Sequence, residues 1–187
     1  MSVEISESLV LIWRIAELHA RKLNSETIEP HHCLLALAKC VDLDLTTLVP
    51  NDAPNHDDLL EQLLREVRRV RTVFRVGNFD AKAFRRRLRK MAPEARFAVA
   101  DSETLHRSAA TKKLFLEAEH FAELSGQVVY PVHLLLASLS TPDHDSDEVM
   151  RELGIEKKRL QEIAKREIFT TKPTGFSLGG ESKRGRN

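Results

Sequence analysis

His31, His32 and Cys33 stand in a row, and imidazole and thiolate are the commonest zinc ligands. Consecutive side chains on a helix diverge by about 100°, so three in succession do not converge on one ion. No metal is expected here; His32, which recurs as His133, reads as a packing and capping group at a helix start. Asp143, Asp145 and Asp147 alternate as calcium-loop ligands do. Such a loop needs glycine at its sixth position and a bidentate glutamate at its twelfth; this chain has Glu148 and Gly154 there. The acidic cluster reads instead as the cap and dipole partner of a helix beginning near Asp147. Cys33 and Cys40, placed on one helix, lie about 10 Å apart along its axis and cannot bridge. Neither has an activating setting visible in the sequence.

Phosphate and acyl chemistry are equally unsupported. The chain has no Gly-x-x-x-x-Gly-Lys-Ser/Thr loop and no Gly-x-Ser-x-Gly elbow, and Gly179-Gly180 has neither a strand before it nor a helix after it. No catalytic residue, cofactor or metal is assigned, ATP is not an expected ligand, and the chain reads as a non-enzyme.

The most unusual chemistry is cationic. Residues 65–96 hold twelve basic residues against Glu66, Asp80 and Glu94, a local net charge of +9, in a chain whose total is +1. Within that stretch Phe84, Leu88 and Met91 form an i, i+4, i+7 stripe, Asp80 can cap it, and Gly77 and Pro93 bracket it. The spacing predicts an added helix with Arg85, Arg86, Arg89 and Lys90 on its outer face. Two readings stand side by side. One is a surface helix whose charges are solvated or paired with the acidic remainder. The other is a docking face for an anionic partner, an acidic protein surface ahead of nucleic acid, because no aromatics interleave to stack bases.

These residues need elements to position them. The 187 residues are 42% hydrophobic and 30% charged, with only seven Gly, seven Pro and ten aromatics. That is too few turn residues for a sandwich or barrel, so the composition points to an all-α fold. The longest apolar run is Leu9 to Trp13, far short of the ~20 residues that span a bilayer. No apolar leader precedes a small-residue cleavage site. A cytoplasmic setting, or the stroma or matrix of an organelle, is expected.

Helical spacing runs through Ile5, Leu9, Ile12, Ala16 and Ala20, with Ser6 as a candidate N-cap. A second helix opens at Pro30, a short segment follows at Leu43 to Val49, and a longer helix carries Leu60, Leu63, Val67 and Val70. The pattern returns 101 residues on. His19-Ala20-Arg21-Lys22-Leu23 stands against His120-Phe121-Ala122-Glu123-Leu124, Pro30 against Pro131, His32 against His133, and Leu34-Leu35-Ala36 against Leu135-Leu136-Ala137. Two such units bury their apolar faces only against each other. The layout expected is a single domain over 1–169, with repeat one at 5–70, an insertion at 71–104 and repeat two at 105–168. A flexible tail follows at 170–187.

The doubled Pro-x-His-x-Leu-Leu-Ala string, each copy preceded by a long helix and a short hydrophobic approach, resembles the Clp N-terminal (Clp R) domain of Clp-type AAA+ unfoldases. The resemblance implies two pseudo-symmetric four-helix repeats that bind substrates and adaptor proteins, here without an ATPase domain. It implies a stand-alone accessory or adaptor-type regulator of a Clp protease or chaperone system; the alternative is a nucleic-acid-associated regulator acting through the basic insertion. Some Clp R domains bind phosphoarginine through an acidic residue directly before each motif histidine. His31 and Val132 occupy those positions, so that recognition is not expected.

Overall fold

The computed structural model describes residues 4–49, 55–91 and 104–170. Within them the helices are α1 (Glu7–Lys22), α2 (Pro30–Cys40), α3 (His56–Val76), α4 (Ala81–Met91), α5 (Ala109–Ser125), α6 (Pro131–Ser140), α7 (His144–Glu152) and α8 (Lys157–Thr170). Two short strands, β1 (Thr27–Ile28) and β2 (His106–Arg107), complete the set with a 3-10 turn at Leu45–Thr47. Thr170, expected to open the tail, ends α8 instead; residues 171–187 and Pro93 lie outside the described residues. No helix among those described is long and apolar enough to cross a membrane.

α2 and α6 form the centre. Each is buried almost all round, through Cys33–Ala38 and Val132–Leu139, as an interior helix must be. Pro30 and Pro131 sit in their first turns, where the missing N–H has no intrahelical partner to lose. The histidines two residues on close both starts in the same way. His32 Nδ1 accepts the Glu29 N–H and His133 Nδ1 accepts the Tyr130 N–H, both at 2.9 Å.

The lead-in segments are exchanged between repeats. β2, just before α5, pairs in parallel with β1, just before α2. Ile5, just before α1, pairs in parallel with Val129, just before α6. The Ser6 N–H donates to the Val129 carbonyl at 3.1 Å and the Ser108 N–H to the Ile28 carbonyl at 3.2 Å.

One register differs from the sequence alignment. On α1 the buried stripe is Ile12, Ala16 and Ala20; on α5 it is Leu114, Ala118 and Ala122, an offset of 102. His19 is accordingly buried while His120 is exposed, so the two histidines are not equivalents. The stretch from Ala20 to Pro30 is one residue longer than that from Ala122 to Pro131, and from the prolines onward the offset of 101 holds.

The closing helices differ too. The segment at Leu43 to Val49 tightens only into the 3-10 turn, whereas its counterpart α7 is a nine-residue helix that starts at His144, capped by Asp143 rather than near Asp147. α3 runs on to Val76 and leans across onto α6 and α8, while α8 packs on α6 of its own repeat. α2 is covered by α4 instead. An insertion in sequence is thus part of the core's wall in space.

Candidate functional site

Two glycine- and asparagine-bearing positions turn the chain from α3 into α4. Asn78 takes a left-handed conformation with φ of 54°, which Asn tolerates. Gly77 is needed for closeness: a Cβ there would lie 2.3 Å from Leu160 Cδ2 on α8. Asp80 then caps α4, accepting the Ala83 N–H at 2.8 Å. Phe74 stacks on Phe79, which meets Phe84 at a tilt of 45°, with ring centroids 4.2 and 4.9 Å apart. Phe84 and Leu88 are fully buried, so α4 is a rigid element and not a tethered arm.

The four cations expected on its outer face divide. Arg86, Arg89 and Lys90 are exposed. Arg85 is not: it is 9% exposed, donating Nη1 to the Ala38 carbonyl at 2.9 Å and Nη2 to the Asp42 carboxylate. Its place follows from spacing, since Ala81, Phe84, Arg85 and Leu88 fall at i, i+3, i+4 and i+7, the buried stripe of an amphipathic helix. The guanidinium survives burial because it closes the C-terminal carbonyls of α2, where a cation is favoured. Arg71 from α3 does the same, with Nε and Nη2 both on the Val41 carbonyl at 3.2 and 2.7 Å. Arg87, unremarked in the sequence, makes a two-pronged pair with Glu152 at the end of α7, which holds the Glu152 carboxyl below its usual range.

The histidine row also arranges itself otherwise than simple helical divergence suggests. The His31 and His32 rings meet, with Nε2 atoms 3.1 Å apart, because His32 turns back to cap Glu29. Burial, then the neighbouring His31, pushes the His32 pKa down to about 3, so its ring is neutral. With Nδ1 accepting from Glu29, its one proton sits on Nε2 and is donated to His31 Nε2. His31 then keeps its proton on Nδ1, which faces Asp143 and Asp145 at 3.8 and 3.7 Å. Burial opposes ionisation of Asp143, but the facing His31 ring and the hydrogen bond from the Ser146 N–H outweigh it and lower its pKa. The contact of His31 with the two carboxylates joins repeat one to repeat two. The proton on His32 Nε2 leaves no lone pair there for a metal, and no group of three or more ligating side chains among the described residues is placed to hold one.

Both thiols are buried, and burial pushes each pKa up to about 12. A thiol so protonated is no nucleophile at neutral pH.

No protein-family model matches the sequence, and no curated protein matches it. Solved structures do. A chain from structural investigations of a malarial protein secretion system superimposes with a TM-score of 0.64 at 19% identity, covering 90% of this chain and 97% of that one. The Hsp104 N-terminal domain from Candida albicans gives a TM-score of 0.58 at 13% identity, over 86% of this chain and 89% of that one. The N-terminal domain of the chaperone ClpD from Arabidopsis thaliana gives 0.56 at 16% identity, over 86% and 94%. At these identities the likeness is one of fold: two helical repeats arranged as in Clp N-terminal domains.

Proposed function

From the Clp N-terminal domain fold, which this chain has, we propose that it serves as a non-enzymatic protein-interaction module, an accessory or adaptor-type regulator in a Clp protease or chaperone system. Its partner is a Clp unfoldase or protease component, an adaptor or a substrate with an acidic face. The observation that carries this reading is the state of α4. One side is locked into the core through Phe84 and Leu88, and the other holds Arg86, Arg89 and Lys90 exposed, with no hydrogen bond or ion pair to any of them among the described residues. Charges fixed on a rigid helix steer a complementary partner and lose little entropy when it docks.

The test is affinity capture from the source cells with mass spectrometry. Wild-type protein should retain Clp components, more weakly as salt rises. The double variant Arg86→Glu/Arg89→Glu should lose them while keeping its melting temperature. Capture that is unimpaired in the double variant, or that disappears on nuclease treatment, overturns the reading; the second result assigns the face to nucleic acid.

A further inference from the structure

The C-terminal ends of α2 and α3 and the start of α4 enclose an open cleft of about 660 Å³. Its charged lining is Arg71, Arg75, Lys82 and Arg85 against Asp42 and Asp80. Both acids are already engaged: Asp42 accepts from Arg85, and Asp80 caps α4. The cations are only partly so. Arg85 is used within the fold, but Arg71 holds the Val41 carbonyl with Nε and Nη2 and leaves Nη1 uncommitted. Arg75 and Lys82 are exposed, and neither has a hydrogen bond or ion pair among the described residues. Three cations with unused N–H groups therefore surround an opening whose base is the stacked pair Phe74 and Phe79.

We propose that this cleft is a socket for a glutamate side chain of an acidic peptide segment, which continues from it along α4. The proposal rests on the reading of α4 as a protein-docking face and specifies what docks there. Lys82, Arg86 and then Arg89 and Lys90 recur at one-turn intervals along the exposed side, about 5–6 Å apart. Alternate side chains of an extended peptide are about 6.5–7 Å apart, so acids at every second residue keep pace with that stripe over its length of roughly 12 Å. A carboxylate suits the socket better than a phosphate. Asp42 and Asp80 in the same cleft repel a dianion more than a monoanion, and the aromatic base takes the methylene stem of glutamate. Arginine and lysine donors then bind the carboxylate by charge-assisted hydrogen bonds.

The experiment is fluorescence anisotropy of a labelled ten-residue peptide of alternating Glu and Ser, titrated with the full chain at low and high salt. Wild-type protein should bind it, weakening as salt rises, and a Lys-Ser peptide should not bind. Arg75→Glu/Lys82→Glu, at two exposed positions, should weaken binding by about tenfold or more with an unchanged melting temperature. Unchanged affinity in that variant overturns the socket, and if Arg86→Glu/Arg89→Glu alone abolishes binding, the docking face survives without it. No binding by the wild type at low salt overturns the acidic-peptide assignment, while capture of Clp components decides the broader reading independently. Inorganic tripolyphosphate competing more strongly than unlabelled peptide overturns the choice of carboxylate.

Discussion

Trp13 and Phe115 meet edge to face, with ring centroids 5.5 Å apart and planes at 81°. At the offset of 102 that relates α1 to α5, they are one another's equivalents, so the approximate symmetry of the two repeats brings a residue against its own counterpart. Arg107 lies over both rings, at 5.7 and 5.5 Å from their centroids, and ties β2 to the contact.

Trp13 is the chain's one tryptophan, so this contact has its own optical probe. Phe115→Ala should move the fluorescence maximum of the folded protein to longer wavelength as water reaches the indole. It should also cost about 1–2 kcal/mol, the scale of an aromatic pair with part of its burial. An unshifted spectrum with unchanged stability would place the two rings apart.

Leu135 is fully buried on α6. Leu135→Ala should lower unfolding stability by about 2–5 kcal/mol through lost transfer energy and the cavity left behind. Urea denaturation measures it, and a shift below 1 kcal/mol would mean that α6 is not central.

Arg85 and Arg86 are neighbours in sequence with opposite roles in space. Arg85→Ala strands the Ala38 carbonyl and the Asp42 carboxylate and should cost about 1–3 kcal/mol. Arg86→Ala should stay within about 0.5 kcal/mol of wild type. Equal costs for the two would contradict the inward course of Arg85.

Acid should destabilise the fold in a defined window. Burial is the main cause that lowers the pKa of His19 to about 4, of His32 to about 3 and of His133 to about 4, against about 6.5 in the unfolded chain. The unfolded state therefore takes up protons first, and stability present above about pH 6.5 is lost as pH falls from there towards 4 for His19 and His133 and towards 3 for His32. Asp143, whose pKa is lowered on folding, adds its loss at the acid end of that window, from about pH 4 downward. Protonating His32 or His133 also removes the acceptor that closes its helix start. Denaturation midpoints at pH 7.5, 5.5 and 4.5 should fall in that order, and a flat profile would show these rings to be solvated.

The parts of this fold that were legible in the sequence rest on local rules. Proline in a first helical turn, a histidine two residues on and an all-apolar helix after it leave a signature that two copies make unmistakable. The register of α1 against α5 was not legible, because the extra residue sits in a turn and alanines recur close enough to satisfy either alignment. The stripe of Phe84, Leu88 and Met91 alone leaves Arg85 on the outer face; adding Ala81 to the stripe turns Arg85 inward. Arg71, Arg75 and Lys82 come from two helices, and only the turn through Gly77 and Asn78 brings them to one opening. No sequence period encodes that meeting.

The exchanged lead-in segments also set an order of events during synthesis. Residues Glu4 to Ser6 leave the ribosome well ahead of Val129, on which they pair and which follows more than a hundred residues later. At ~5–20 residues per second the wait is roughly 6–25 s. Through that interval the first repeat is exposed without the strand contact that fastens its beginning. Its completion is a post-emergence event, made by the arrival of the second repeat and not by the first repeat's own residues.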